Sequence, residues 1–153
     1  MFAHPVPRAA LLLGAAGVLP FLWGLGTMWV PALFEITMNT IGPRFVGPFV
    51  LLSYGTVILC FMSGALWGLV AKSEVELGPM GYGIAVVPAL WAFFFVGNGP
   101  VSTSINLIAG YVAVLAIDYL LWSNKVAPPW WMALRIPLTV IVVLCLGIVA
   151  GTG

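Results

Sequence analysis

The sequence predicts an all-α fold: a polytopic membrane bundle of about five transmembrane helices, with a short interfacial helix between the first two. Three observations predict it. Of 153 residues, 63% are hydrophobic and only 6% are charged, against roughly 25% charged in soluble domains. Mean hydropathy is +1.18. The apolar residues also gather into runs close to the roughly 20 residues a spanning helix needs. Such a chain lacks the polar side chains to cover a water-facing surface. A net charge of +1 with no basic patch argues against a nucleic-acid binder, and the composition argues equally against a disordered chain or a disulfide scaffold.

In chain order, the spans are expected over about residues 9–30, 46–71, 80–97, 101–122 and 132–150. Together they consume most of the chain and leave short loops, so residues 1–153 read as a single integral membrane domain. The first run is longer than a signal-peptide core and lacks a small-x-small site before a polar chain, so a retained helix is expected. Helix breaks are marked by Pro31, by Gly42-Pro43 and Gly47-Pro48 around Arg44, by Gly97-Asn98-Gly99-Pro100, and by Pro128-Pro129. Pro20, Pro88 and Pro137 lie inside apolar runs, where neighbouring helices can satisfy the freed carbonyls. Pro137 is close enough to its helix start to serve as a first-turn proline. Between the first two spans, Leu33, Phe34, Met38 and Ile41 share one side of a helical wheel, and Glu35 and Asn39 the other. That pattern suits a short helix in the membrane interface, with an irregular linker as the alternative.

Orientation follows from the basic residues. Arg8, Lys72, Lys125 and Arg135 fall on one side and Arg44 on the other, which places the N-terminus inside and the C-terminus outside. Trp122, Trp130 and Trp131 at the inner boundary, and Trp29 at the outer, fit an aromatic belt.

The chemistry-bearing residues are few. His4, in the N-terminal tail, is the only histidine, so bis-histidine haem, two-His metal motifs and a nucleophile–His pair inside the membrane are excluded. No catalytic, metal or cofactor-binding residue is assigned, and neither an enzyme activity nor a cofactor is expected. Cys60 and Cys145 lie deep in apolar runs and read as core packing. Glu74 and Glu76, beside Lys72, read as a solvated loop. Asp118 is the one charge clearly within a span. It sits near a helix C-terminus, which disfavours an anion, while Arg135 sits near the start of the next helix, which disfavours a cation. A hairpin would let the two pair and cancel both penalties, so Asp118 and Arg135 are the candidate structural ion pair. Gly64 and Gly68 form a GxxxG, as do Gly147 and Gly151. Chance placement of the glycines gives roughly two such pairs, so the motif is not enriched. Close helix approach at Gly64 and Gly68 still stands as an expectation, because Trp67 beside them supplies bulk. Tyr54, Gly64, Trp67, Gly68 and Trp91 are the candidate helix-packing or partner-contact residues. Ser53, Tyr54, Thr56 and Ser63 read as interhelical hydrogen-bonding groups.

Several segments together resemble a known family. These are LLLGAAGVLPF from Leu11, SYGTVILCFMSGALWG from Ser53, GYGIAVVP from Gly81 with Trp91 beyond it, and PWWMALRIPLT from Pro129. Their order and spacing resemble domain-of-unknown-function family 3429, the transmembrane protein 69-like small multi-pass proteins of mitochondria and many proteobacteria. The resemblance implies a compact helical bundle in a bacterial inner or mitochondrial-type membrane, and no transferable activity. It also implies an acid and an arginine at the positions of Asp118 and Arg135. Where relatives often carry a His or Arg this chain has Leu66, so a polar role at that position is not expected.

Two functions compete. The first is an accessory or assembly subunit in the lipid bilayer, packing against a larger inner-membrane complex of respiratory or other energy-transducing type. Its motive is abundant Gly and Trp with no catalytic constellation. The alternative is a small carrier or binder of an apolar ligand such as a quinone or lipid, with Pro20 and Pro88 opening a cavity among the first three spans. No nucleic-acid partner is expected.

Overall fold

A computed structural model describes residues 5–75 and 77–152; His4 and Glu76 lie outside the described residues. Every regular element among them is helical: α1 (Arg8–Ala16), α2 (Leu19–Trp29), α3 (Pro31–Thr40), α4 (Gly47–Lys72), α5 (Gly78–Phe95), α6 (Pro100–Ser123) and α7 (Trp131–Gly151), with a single 3-10 turn at Pro43–Phe45. Five stretches, Arg8–Trp29 and the four long helices α4 to α7, are long and apolar enough to cross a membrane. Their outer faces stay apolar: Phe93, Leu13 and Met80 are 78%, 75% and 75% exposed. That inversion is stable only where lipid replaces water.

The long helix α4 is the hub, packed against α2, α5, α6 and, more sparsely, α7. Leu51, Leu59 and Leu66 recur along it at helical spacing and are fully buried. They meet Leu107 and Val114 of α6 and Leu146 of α7 in one core. Leu66 is thus core packing, as its apolar identity demands. Buried hydroxyls and indoles join the helices where no water is available to do so. Tyr111 Oη of α6 donates to the Gly55 carbonyl at 2.8 Å, and Ser63 Oγ donates to the Ala85 carbonyl at 2.5 Å. The Ser63 bond falls one residue past Ile84, whose carbonyl loses its i+4 donor to Pro88. At the far end of α5, Trp91 Nε1 donates to the Asn106 carbonyl at 2.8 Å, and Asn106 Nδ2 to the Phe95 carbonyl at 2.6 Å. The reversal between α5 and α6 uses Gly97 and Gly99 at φ of 128° and 101°, backbone that only glycine enters at low cost.

Four expectations are corrected. The first span is not one helix: Gly17 and Val18 interrupt it, with Val18 N bonded to the Ala15 carbonyl and Phe21 N to the Val18 carbonyl, at three-residue spacing. Pro20 has no N–H for the Ala16 carbonyl, and its ring crowds the preceding turn. Pro137 is the seventh residue of α7 and sits inside the helix, not in its first turn. Cys60 faces outward, whereas Cys145 is buried, because Cys60 follows the core residue Leu59 by one position and so turns to the lipid side. The segment between the first two spans is helical, but the face turned to the bundle carries buried Thr37 and half-buried Leu33. Phe34, Met38 and Ile41 are left outward, free for the lipid interface.

Candidate functional site

The one ion pair among the described residues joins α6 to α7. Arg135 Nε donates to Asp118 Oδ2 at 2.7 Å. The other carboxylate oxygen, Oδ1, accepts Trp131 Nε1, also at 2.7 Å. Asp118 is wholly buried and Arg135 is 6% exposed, so each charge depends on the other for compensation. The hairpin that brings them together is short, and Trp122 Nε1 donates to the Pro129 carbonyl across it at 3.1 Å.

Of the guanidinium nitrogens only Nε has a hydrogen bond among the described residues. Arg135 Nη2 is buried with no hydrogen-bond partner among the described residues, and so is Thr139 Oγ1. Thr139 stands one turn beyond Arg135 on the same face of α7. Other helical threonines satisfy themselves: Thr27, Thr37, Thr40 and Thr56 donate to carbonyls three or four residues back. The Thr139 hydroxyl makes no such bond.

Arg135 and Thr139 line a cavity of about 430 Å³. Its walls come from α1 and α2 (Leu13, Phe21), α4 (Tyr54, Ala65) and α7 (Leu138, Val142), and are apolar except for Arg135, Thr139, Trp131 and the tyrosines Tyr54 and Tyr111. The opening has a structural cause. The break at Gly17–Val18 sends α1 to lean on α7 while α2 packs on α4. Between them α4 and α7 touch only sparsely, and the gap stays unfilled. Leu13 and Phe61, 75% and 66% exposed, line it at the outer surface of the bundle. A second outward groove of about 460 Å³, lined by Trp23, Arg44, Ser53 and Val57, shares Tyr54 as a wall with the first.

The sequence-derived candidates divide. Asp118 and Arg135 come together. Tyr54 packs edge-on against Phe21, ring centroids 5.4 Å apart, and lines the cavity. Trp91 packs helix on helix through its bond to the Asn106 carbonyl of α6, and makes a 4.4 Å ring contact with Phe95 of its own helix. Gly64 and Gly68 have no atom within 4 Å of where a Cβ would stand, so among the described residues no other helix approaches them closely. Trp67 leans on Tyr82, centroids 4.8 Å apart, and is 46% exposed. Ser63 joins α4 to α5, whereas Ser53 and Thr56 bond within their own helix. The cavity lies among the first, second, fourth and fifth spans rather than the first three, and Pro88 is buried in α5 away from it. Among the described residues no three His, Cys, Asp or Glu side chains cluster closely enough to hold a metal.

Trp131, Thr139 and Tyr111 were missed as site residues. Their signal was present: Trp131, Arg135 and Thr139 recur every fourth residue along α7, and Tyr111 precedes Asp118 by seven along α6. Both intervals put side chains on a single helix face.

Residues 6–151 match the model of a family described as protein of unknown function (DUF3429). The chain belongs to this family. It is also 31% identical over 144 residues to Transmembrane protein 69 of Xenopus tropicalis, an alignment covering 92% of this chain and 53% of the relative. The chain therefore spans about half the length of that relative. No solved structure matches. The family's description attaches no activity to it, and this member has five helices long and apolar enough to cross a membrane.

Proposed function

We propose that the protein binds or carries an apolar ligand of the bilayer, a quinone or a lipid, in the cavity between α1, α4 and α7. The observation that carries this reading is that two residues lining the cavity, Arg135 and Thr139, each hold a buried polar atom, Nη2 and Oγ1, with no hydrogen-bond partner among the described residues. A buried donor without an acceptor costs about 1–3 kcal/mol, and more when charged. A ligand oxygen seated there removes that cost, and the apolar walls take a tail. Entry is lateral, between Leu13 and Phe61. No catalytic role and no bound metal belong to this reading. The protein sits in a bacterial inner membrane with its N-terminus inside and C-terminus outside, as the basic residues favour.

The test is a non-denaturing mass spectrum of protein released from mild detergent, compared with Ala65→Phe, which fills the cavity. Wild type carrying a hydrophobic adduct that the variant lacks supports the reading. Two folded proteins of equal occupancy would contradict it.

A second reading has its own support. Gly64 and Gly68 form an unoccupied small-residue face on α4 beside half-exposed Trp67, as a helix of a larger inner-membrane complex would require. Gly68→Leu would then abolish co-migration with a large assembly on native gels without unfolding the chain. Unchanged migration would remove this reading.

A further inference from the structure

We infer that the cavity receives the carbonyl oxygen of a neutral amphiphile and discriminates against anionic heads, an assignment that rests on the ligand-binding reading above. Among the described residues Arg135 is the only charged one lining the cavity, and its charge is already balanced by Asp118 at 2.7 Å. Asp118 in turn has both oxygens engaged, one by Arg135 and one by Trp131. The buried cluster is therefore neutral as it stands. A fatty-acid carboxylate or lipid phosphate entering it would leave one net negative charge in a low-dielectric site, sharing a single guanidinium with Asp118. Such a buried, uncompensated charge is strongly disfavoured.

A neutral carbonyl meets the opposite situation. The groups awaiting partners are donors: Nη2 has only N–H to offer, and the Thr139 hydroxyl can donate. A carbonyl oxygen has two lone pairs, no proton and no charge, and can accept from both. Of the other polar groups in the wall, the Tyr111 hydroxyl already donates to the Gly55 carbonyl at 2.8 Å and the Trp131 indole to Asp118, while the Tyr54 hydroxyl is a further donor for an acceptor oxygen. Two kinds of bilayer component present this chemistry on an apolar tail: a quinone ring and a glycerol ester.

The experiment offers decyl-benzoquinone, monoolein and palmitate at equal mole fraction to the protein in phosphatidylcholine nanodiscs. Adducts are counted by native mass spectrometry for wild type, Thr139→Val and Ala65→Phe. The expected result is a neutral adduct about tenfold more abundant than the palmitate adduct, and about tenfold weaker in Thr139→Val. Thr139→Val should meanwhile melt no lower than wild type, because it removes a hydroxyl that no protein atom satisfies. Which neutral probe dominates identifies the ring or the ester. A palmitate adduct of equal or greater abundance, lost in Ala65→Phe, overturns the head-group assignment and leaves the cavity reading standing. A neutral adduct indifferent to Thr139→Val also overturns the assignment. No adduct above the Ala65→Phe level for any probe overturns the ligand-binding reading and this inference with it.

Discussion

Asp118 and Arg135 show how a membrane interior treats a charge. Neither is tolerable alone, and the 2.7 Å contact between them makes each dependent on the other. Asp118→Asn should cost about 3–5 kcal/mol, since it strands a buried guanidinium. The double change Asp118→Leu with Arg135→Met should cost less than the single one, read as thermal unfolding in nanodiscs. A double variant less stable than Asp118→Asn would contradict this balance of terms. Trp131→Phe removes one charge-assisted hydrogen bond and should cost about 1.5–3 kcal/mol on the same assay; an unchanged melting temperature would show the indole bond to be incidental. The pairing was legible from sequence, because each charge sat at the wrong end of its helix dipole. Thr139 was not. Its significance lies in a missing bond, and a sequence does not display which hydroxyl fails to reach its own backbone.

At the level of elements, the glycines separate into those that let helices touch and those that face nothing. A Cβ on Gly24 would stand 2.5 Å from Leu51 Cδ1 and 2.8 Å from Val50 Cγ1, and Leu51 is wholly buried with nowhere to move. Gly24→Ala should therefore destabilise by about 1–3 kcal/mol. Gly64→Ala and Gly68→Ala, with open space around them, should leave the melting temperature of the isolated protein unchanged. Equal effects at all three positions would mean that α2 and α4 do not meet as described. The GxxxG spacing did not separate these cases, since Gly24 belongs to no such motif and was the tighter contact. Helix ends were legible to within a few residues because Pro and Gly mark them. The break at Gly17–Val18 was not, since an apolar run continues unbroken through Pro20 and hydropathy does not register a lost N–H.

For the whole molecule, five crossings were legible because the outer faces of all five spans had to remain apolar. Orientation gives a separate prediction. In a background without Cys60 and Cys145, cysteines at Asn98 and Thr152 should react with a membrane-impermeant maleimide added outside, and cysteines at Ser73 and Asn124 only after permeabilisation. The reverse pattern would invert the topology. The cavity itself was beyond reach of the sequence, which indicated an opening among the first three spans. Its position depends on how far α1 swings toward α7 after the break, a matter of packing among five helices rather than of any one segment. The most direct test of the account is an experimental map of the wild-type protein in nanodiscs formed from its native membrane. The account predicts elongated density between α1, α4 and α7, with its polar end against Arg135 Nη2 and Thr139 Oγ1. A cavity closed by α1 packed against α4, with both groups bonded to the protein itself, would contradict it.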